Sequence, residues 1–213
     1  MNVKIPFEKG ILQGILQIPE DPIGLVLFSH GSGSSRLSKR NQYVATMFNE
    51  DQIATLLFDL LTEEEEKKDT KDMSLRFDID LLTKRLLIAT EWCAKQKKTH
   101  PLLMGYFGAS TGAAAAINAA ALTKQEITAV VSRGGRPDLS KEYLKRLNSP
   151  TLLIVGGDDA PVIDMNKEAY DLISCEKRME IIEGATHLFE ESGKLEQVAQ
   201  IAKKWFFDHF TKM

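Results

Sequence analysis

Four short stretches carry residue types that could perform acyl transfer: "FGASTG" with Ser110, "GGDDAP" with Asp158 and Asp159, "GATHLFEE" with His187, and "SHGSGSSR" opening at Ser29. A serine hydroxyl is a poor nucleophile on its own. It needs a base to take its proton, a carboxylate to orient that base, and N–H donors where negative charge develops on the carbonyl oxygen. Whether the fold brings these four stretches together therefore decides what the chain can do.

Ser110 lies in Gly108-Ala-Ser110-Thr-Gly112, a G-x-S-x-G pattern. Its three fixed positions recur by chance in roughly one chain of this length in fifteen, so the setting matters more than the motif. An apolar run at 101–107 precedes it and an alanine-rich helix starts at 112, the strand, sharp turn and helix that a nucleophile elbow requires. Glycines two residues to either side remove the collisions such a turn creates. The turn would set Ser110 Oγ at the carboxyl edge of a sheet and aim the Thr111 N–H and the helix N-terminus at an oxyanion. A small residue in a tight turn is the alternative reading of the same stretch.

The base must be a histidine at another strand end. His100 precedes its strand, at the wrong edge, and His209 sits among aromatic residues in the last helix, so both read as structural. His30 follows a strand at the right edge but comes before the serine and opens a glycine loop. His187 follows the last strand and precedes the last helix, and is the expected base. Asp158 and Asp159 stand just past the strand at 151–155, where one of them can face His187. The order Ser, Asp, His along the chain is that of α/β-hydrolases.

A second oxyanion donor is expected from the loop at 30–35, at the N–H of Gly31 or Ser32. Gly31-x-Gly33 with Asp59 after the next strand could instead read as a dinucleotide fingerprint, but Arg36 stands where the third glycine belongs. A nucleoside-triphosphate loop lacks its Gly-Lys-Ser/Thr. Arg36 and Arg133 fall at the same edge and are candidate substrate-binding residues for an anionic group. Alternatively they hold carboxylates of the protein, such as Asp138 or Asp164.

Positioning these residues requires a particular scaffold. Residues 3–7 and 11–18 flank a turn and read as a hairpin. Short buried runs follow at 24–28, 53–58, 101–107, 127–131 and 151–155, with a last strand at 179–182. Helical patterns lie between them at 40–49, 74–97, 112–122, 139–148 and 163–173, and from 193 to 210. Alternation of buried strands and helices predicts an α/β fold, a mostly parallel sheet of about eight strands covered on both faces, in a single domain over 1–213. The charge run Glu63–Glu66 is expected as a solvated loop or helix start, and the aromatic cluster at 205–210 as a helix docking on the sheet.

Composition narrows the function classes. A formal charge of −3 from interspersed acids and bases gives no support to nucleic-acid binding. No signal-peptide core and no run of about 18 apolar residues is present, so a cytoplasmic location and no membrane partner are expected. Cys93 and Cys175 are distant and have no C-x-x-C partner, and no zinc-type spacing occurs; no metal and no cofactor are expected.

The chain resembles the dienelactone hydrolase-like members of the α/β-hydrolase superfamily, over nearly all its length. Beyond the elbow, "FSHGSGSSR", "ATLLFDLLTEEEE", "VVSRGGRPDL", "GGDDAPVIDMN" and "GATHLFEE" are similar to a bacterial branch whose relatives sometimes occur joined to phosphoribosyltransferase domains; no such domain is expected here. The resemblance implies Asp159, the last residue of G-x-x-D from Gly156, as the triad acid, with Thr111 and Ser32 as oxyanion donors. It implies an α/β-hydrolase fold without a large lid and a serine esterase acting on an ester, thioester or lactone. A monomer or weak dimer is the expected assembly. Dienelactone hydrolase itself has cysteine where this chain has Ser110, so its named substrate does not transfer. A non-catalytic binding or regulatory module on the same fold is the alternative.

Overall fold

The computed structural model describes residues 1–212. Eight strands form one sheet in the order β1-β2-β4-β3-β5-β6-β7-β8. They are β1 (Asn2–Phe7), β2 (Gly10–Gln17), β3 (Gly24–Ser29), β4 (Ile53–Phe58), β5 (Met104–Ala109), β6 (Ile127–Arg133), β7 (Thr151–Gly156) and β8 (Lys177–Ile182). β1 and β2 pair antiparallel, and β2 joins β4 antiparallel; the other pairs are parallel. The hairpin and the mostly parallel sheet thus agree with the sequence reading.

Every residue of β3, β4, β5 and β7 is buried, which explains their unbroken apolar runs: each strand feeds two cores. Leu25 and Leu27 face one core and Val26 and Phe28 the other. The first core lies under α3 (Ile79–Lys95) and α4 (Thr111–Leu122), whose Ala113, Ala114, Ala115 and Ala116 are wholly buried. The second lies under α1 (Lys39–Glu50) and α7 (Lys194–Phe210), where Phe206 and Phe210 pack on the sheet as the aromatic cluster predicts.

Glu63–Glu66 is a helix start, one of the two outcomes expected for it: α2 (Glu63–Asp72) begins there because Thr62 and Glu65 form a capping box, in which Glu65 N–H donates to Thr62 Oγ1 at 3.2 Å and Thr62 N–H to Glu65 Oε2 at 2.8 Å. Two other helix readings need correction. The helix expected from residue 74 starts only at Ile79, since Asp78 Oδ1 accepts from the Leu81 N–H and caps it there. The helix expected at 139–148 shrinks to a 3₁₀ turn at Pro137–Ser140 and a single turn, α5 (Lys141–Leu144). Beyond it Arg146 and Leu147 bond back three residues, to Tyr143 and Leu144, so the chain tightens instead of propagating the helix. The remaining helix, α6 (Ala160–Leu172), starts three residues earlier than expected.

No large lid covers the carboxyl edge of the sheet among the described residues, and none of their helices is long and apolar enough to cross a membrane. The loops after β3, β5, β6, β7 and β8 therefore meet along one accessible edge.

Candidate active site

β5 delivers Ser110 to that edge. Its backbone stands at φ 51°, ψ −121°, a conformation that costs a non-glycine residue about 1–3 kcal/mol and persists only where its surroundings over-determine it. They do so here. The Ser110 N–H donates to the Arg133 carbonyl at 3.2 Å, and the Ser110 carbonyl accepts from Ala113 at 3.1 Å and Arg136 at 3.2 Å. Close approach explains the flanking glycines: a Cβ on Gly112 would stand 2.2 Å from the Ser29 carbonyl oxygen, and one on Gly108 would stand 2.4 Å from Ala113 Cα. Thr111 heads α4, so its N–H has no intrahelical acceptor and is available to an oxyanion.

β7 and β8 bring the second and third residues together. His187 Nδ1 lies 2.7 Å from Asp159 Oδ2, a distance at which the ring donates its Nδ1 proton and leaves Nε2 free as a base. Asp158 is exposed. Backbone bonds tie the two turns: Gly157 N–H to the Ile182 carbonyl at 2.8 Å and Asp158 N–H to the Ala185 carbonyl at 3.0 Å. The His187 loop is further pinned by the wholly buried Phe189 and by Glu191, which accepts from Thr186 Oγ1 at 2.6 Å and from the Thr186 N–H at 3.2 Å. Those hydrogen bonds hold the Glu191 carboxyl below its ordinary range.

Gly134 links the serine to the histidine. It follows Arg133, which accepts from the Ser110 N–H, and at φ +51° it lies under the imidazole: a Cβ there would come within 3.5 Å of His187 Nδ1 and Cε1. Ser110 Oγ itself makes no hydrogen bond among the described residues. Gly134, Phe189 and Glu191 were not singled out from the sequence. The one readable signal was the apolar pair Leu188-Phe189 between His187 and the acids Glu190 and Glu191.

The glycine loop presents its backbone to the serine. A Cβ on Gly31 would stand 3.1 Å from both Ser110 Cβ and the Ala109 carbonyl oxygen, so Gly31 rather than Ser32 packs against the elbow. Ser32 is the next residue and lies exposed in a turn closed by Ser34 N–H to the Gly31 carbonyl at 3.2 Å. His30 fixes this loop. Its Nδ1 donates to the Gly31 carbonyl at 2.9 Å and its Nε2 accepts from the Leu60 N–H at 3.1 Å, an arrangement only the neutral ring can make. Burial pushes its pKa down, so His30 is a neutral strut with no nitrogen left for catalysis. A cavity of about 430 Å³ opens beside it at the ends of β3 and β4, lined in part by Ser35, Asp59 and Glu66.

The two arginines differ. Arg36 is held by Asp59, through its backbone N–H at 2.8 Å and its guanidinium. The expected acceptors Asp138 and Asp164 are engaged elsewhere, Asp138 by both arms of Arg136 and Asp164 loosely by Lys167. Arg133 has no carboxylate partner among the described residues. It is 7% exposed, and its Nε and Nη1 are buried without a hydrogen bond.

The fold matches that of known proteins. No protein-family model matches the sequence. A dienelactone hydrolase from Anabaena variabilis, known from its crystal structure, is 51% identical and superposes with a TM-score of 0.96 over 98% of this chain and 97% of its own. The chain belongs to the dienelactone hydrolase family. Its α/β-hydrolase fold extends to more distant structures such as Est1E from Butyrivibrio proteoclasticus, with a TM-score of 0.84 at 15% identity over 99% of both chains. Two Mycobacterium tuberculosis proteins that carry a provisional phosphoribosyl transferase name are 53% identical over 196 residues. This family member is covered to 92% by that match, yet spans only 43% of their length.

Proposed function

We propose that this chain is a serine hydrolase that cleaves a carboxylic ester, thioester or lactone through an acyl-enzyme. The observation that carries the reading is the 2.7 Å contact of His187 Nδ1 with Asp159 Oδ2, at the sheet edge where Ser110 is held in its positive-φ turn. His187 Nε2 takes the Ser110 proton as Oγ bonds to the carbonyl carbon. Asp159 holds the ring and stabilises the imidazolium that forms. The Thr111 N–H and an N–H of the loop at Gly31 and Ser32 receive the oxyanion. As the tetrahedral centre collapses, the proton passes from His187 to the leaving oxygen or sulfur. Water, deprotonated by the same histidine, then releases the acid and restores Ser110.

The reaction uses these side chains, the backbone N–H donors, water and a small-molecule substrate, and the free thiols of Cys93 and Cys175 suit a cytoplasmic protein. Phosphoribosyl transfer is the second reading, favoured only by the name of the two longer relatives. It has no use for a serine, histidine and aspartate set of this kind, and more than half of those relatives lies outside the match.

Turnover of short-chain acyl esters and lactones by the purified protein tests the proposal against its Ser110→Ala variant. Loss of the nucleophile should lower kcat by about 10⁴-fold with the fold retained. Turnover by Ser110→Ala close to that of the unaltered protein would reject it.

A further inference from the structure

Arg133 is the most unusual charge in the molecule. It ends β6 on the sheet face shared with Ala129 and Val131, which pack toward α1 and α7, and its side chain has neither an ion pair nor a hydrogen bond among the described residues. A buried cation without a partner is costly, and such groups are normally paired. Burial, with the charge of Arg40 nearby, pushes its pKa down to about 10, which still leaves it protonated at neutral pH. Arg40, near the start of α1, adds a second guanidinium whose Nε is also buried and unbonded. Its other arm reaches Glu190, three residues past His187, whose side chain is 60% exposed.

Two neighbouring guanidiniums thus have a single carboxylate contact between them, made by Arg40 alone, and that carboxylate sits at the solvent end. The imbalance lies beside the reacting groups, because the Arg133 carbonyl accepts from the Ser110 N–H and the next residue, Gly134, supports His187. The Asp138 that might have neutralised Arg133 is taken by Arg136. With Glu190 swung into solvent, two positive charges and a set of free N–H donors remain. A phosphoryl dianion matches both charges, whereas a carboxylate matches one.

We propose that Arg133 and Arg40 form a subsite for a phosphoryl group carried by the substrate, with Glu190 as the resident counter-ion that the substrate displaces. The proposal rests on the hydrolase reading and names the substrate class for it. Glu190 competes with the ligand for Arg40, so removing its charge strengthens binding.

The test compares three 4-nitrophenyl esters: the propionate, the monosuccinate, and the 3-phosphonopropionate, whose phosphonate is a stable stand-in for a phosphoryl group. The readout is the ratio of kcat/KM for the phosphonate ester to that for the propionate. In the unaltered protein this ratio should exceed one and exceed that of the succinate. It should fall by about 10- to 100-fold in Arg133→Met and in Arg40→Met, the range of a charged hydrogen bond, and rise in Glu190→Gln. Arg40 is a partly exposed side chain, so its variant serves if Arg133→Met does not fold. Equal ratios in all proteins, or a preference for the succinate, would overturn the subsite. Failure of the unaltered protein to cleave even the propionate would instead reject the hydrolase reading beneath it.

Discussion

Gly134 lies directly beneath the imidazole of His187, so close that a methyl group there would stand 3.1 Å from the His187 carbonyl oxygen and 3.5 Å from Nδ1 and Cε1. Its φ of +51° is a second reason for glycine. Gly134→Val should strain the turn by about 1–3 kcal/mol and push the ring off its position. A shift on the order of 1 Å in a catalytic group costs about a hundredfold, so ester turnover should fall by that much while circular dichroism shows a folded protein. Unchanged kcat would mean that the ring does not depend on this support.

Adjacent acids provide a sharper contrast. Asp159→Asn keeps the size of the group at 2.7 Å from His187 but can donate to Nδ1, which favours the wrong tautomer; kcat should drop by about 10⁴-fold. Asp158→Asn changes an exposed carboxylate and should leave kcat near that of the unaltered protein. Steady-state kinetics on one ester rank the two, and the reverse ranking would move the acid by one residue.

His30 makes stability depend on pH. Its folded pKa lies below the ordinary 6.5 because burial disfavours the charged ring. The unfolded chain therefore binds a proton that the folded protein refuses, and ∂ΔG/∂pH is positive between the two values. The stability contribution is intact above about pH 6.5 and is lost as pH falls toward the folded value. Thermal melts of the unaltered protein should show Tm declining below pH 6.5, and His30→Gln should flatten that decline although it lowers Tm overall. A decline of equal slope in both proteins would place its origin in other groups.

Much of this architecture was readable because parallel strands buried on both faces leave a simple trace. The runs at 24–28, 53–58 and 151–155 fall inside or on β3, β4 and β7. The region at 63–78 was harder, since its outcome turned on which of several polar residues capped a helix: Thr62 with Glu65 started one and Asp78 delayed another. At the site, Ser110, His187 and the acid pair Asp158 and Asp159 were legible from their places after strands, and the choice of Asp159 came with the family resemblance. The supports were not, because Gly134 under His187, Phe189 in the core and His30 against the Leu60 N–H are contacts between residues far apart in the chain. Arg36 and Arg133 looked alike as arginines past strand ends, and only the placement of Asp59 separates them.

Ser110 is the nucleophile of the proposed reaction, and a fluorophosphonate reads that directly by forming a covalent adduct with an activated serine. Intact-mass spectrometry should show one adduct on the chain, mapped to the peptide that carries Ser110, and none on Ser110→Ala. An unaltered protein that stays unlabelled, or an adduct that persists in Ser110→Ala, would contradict it.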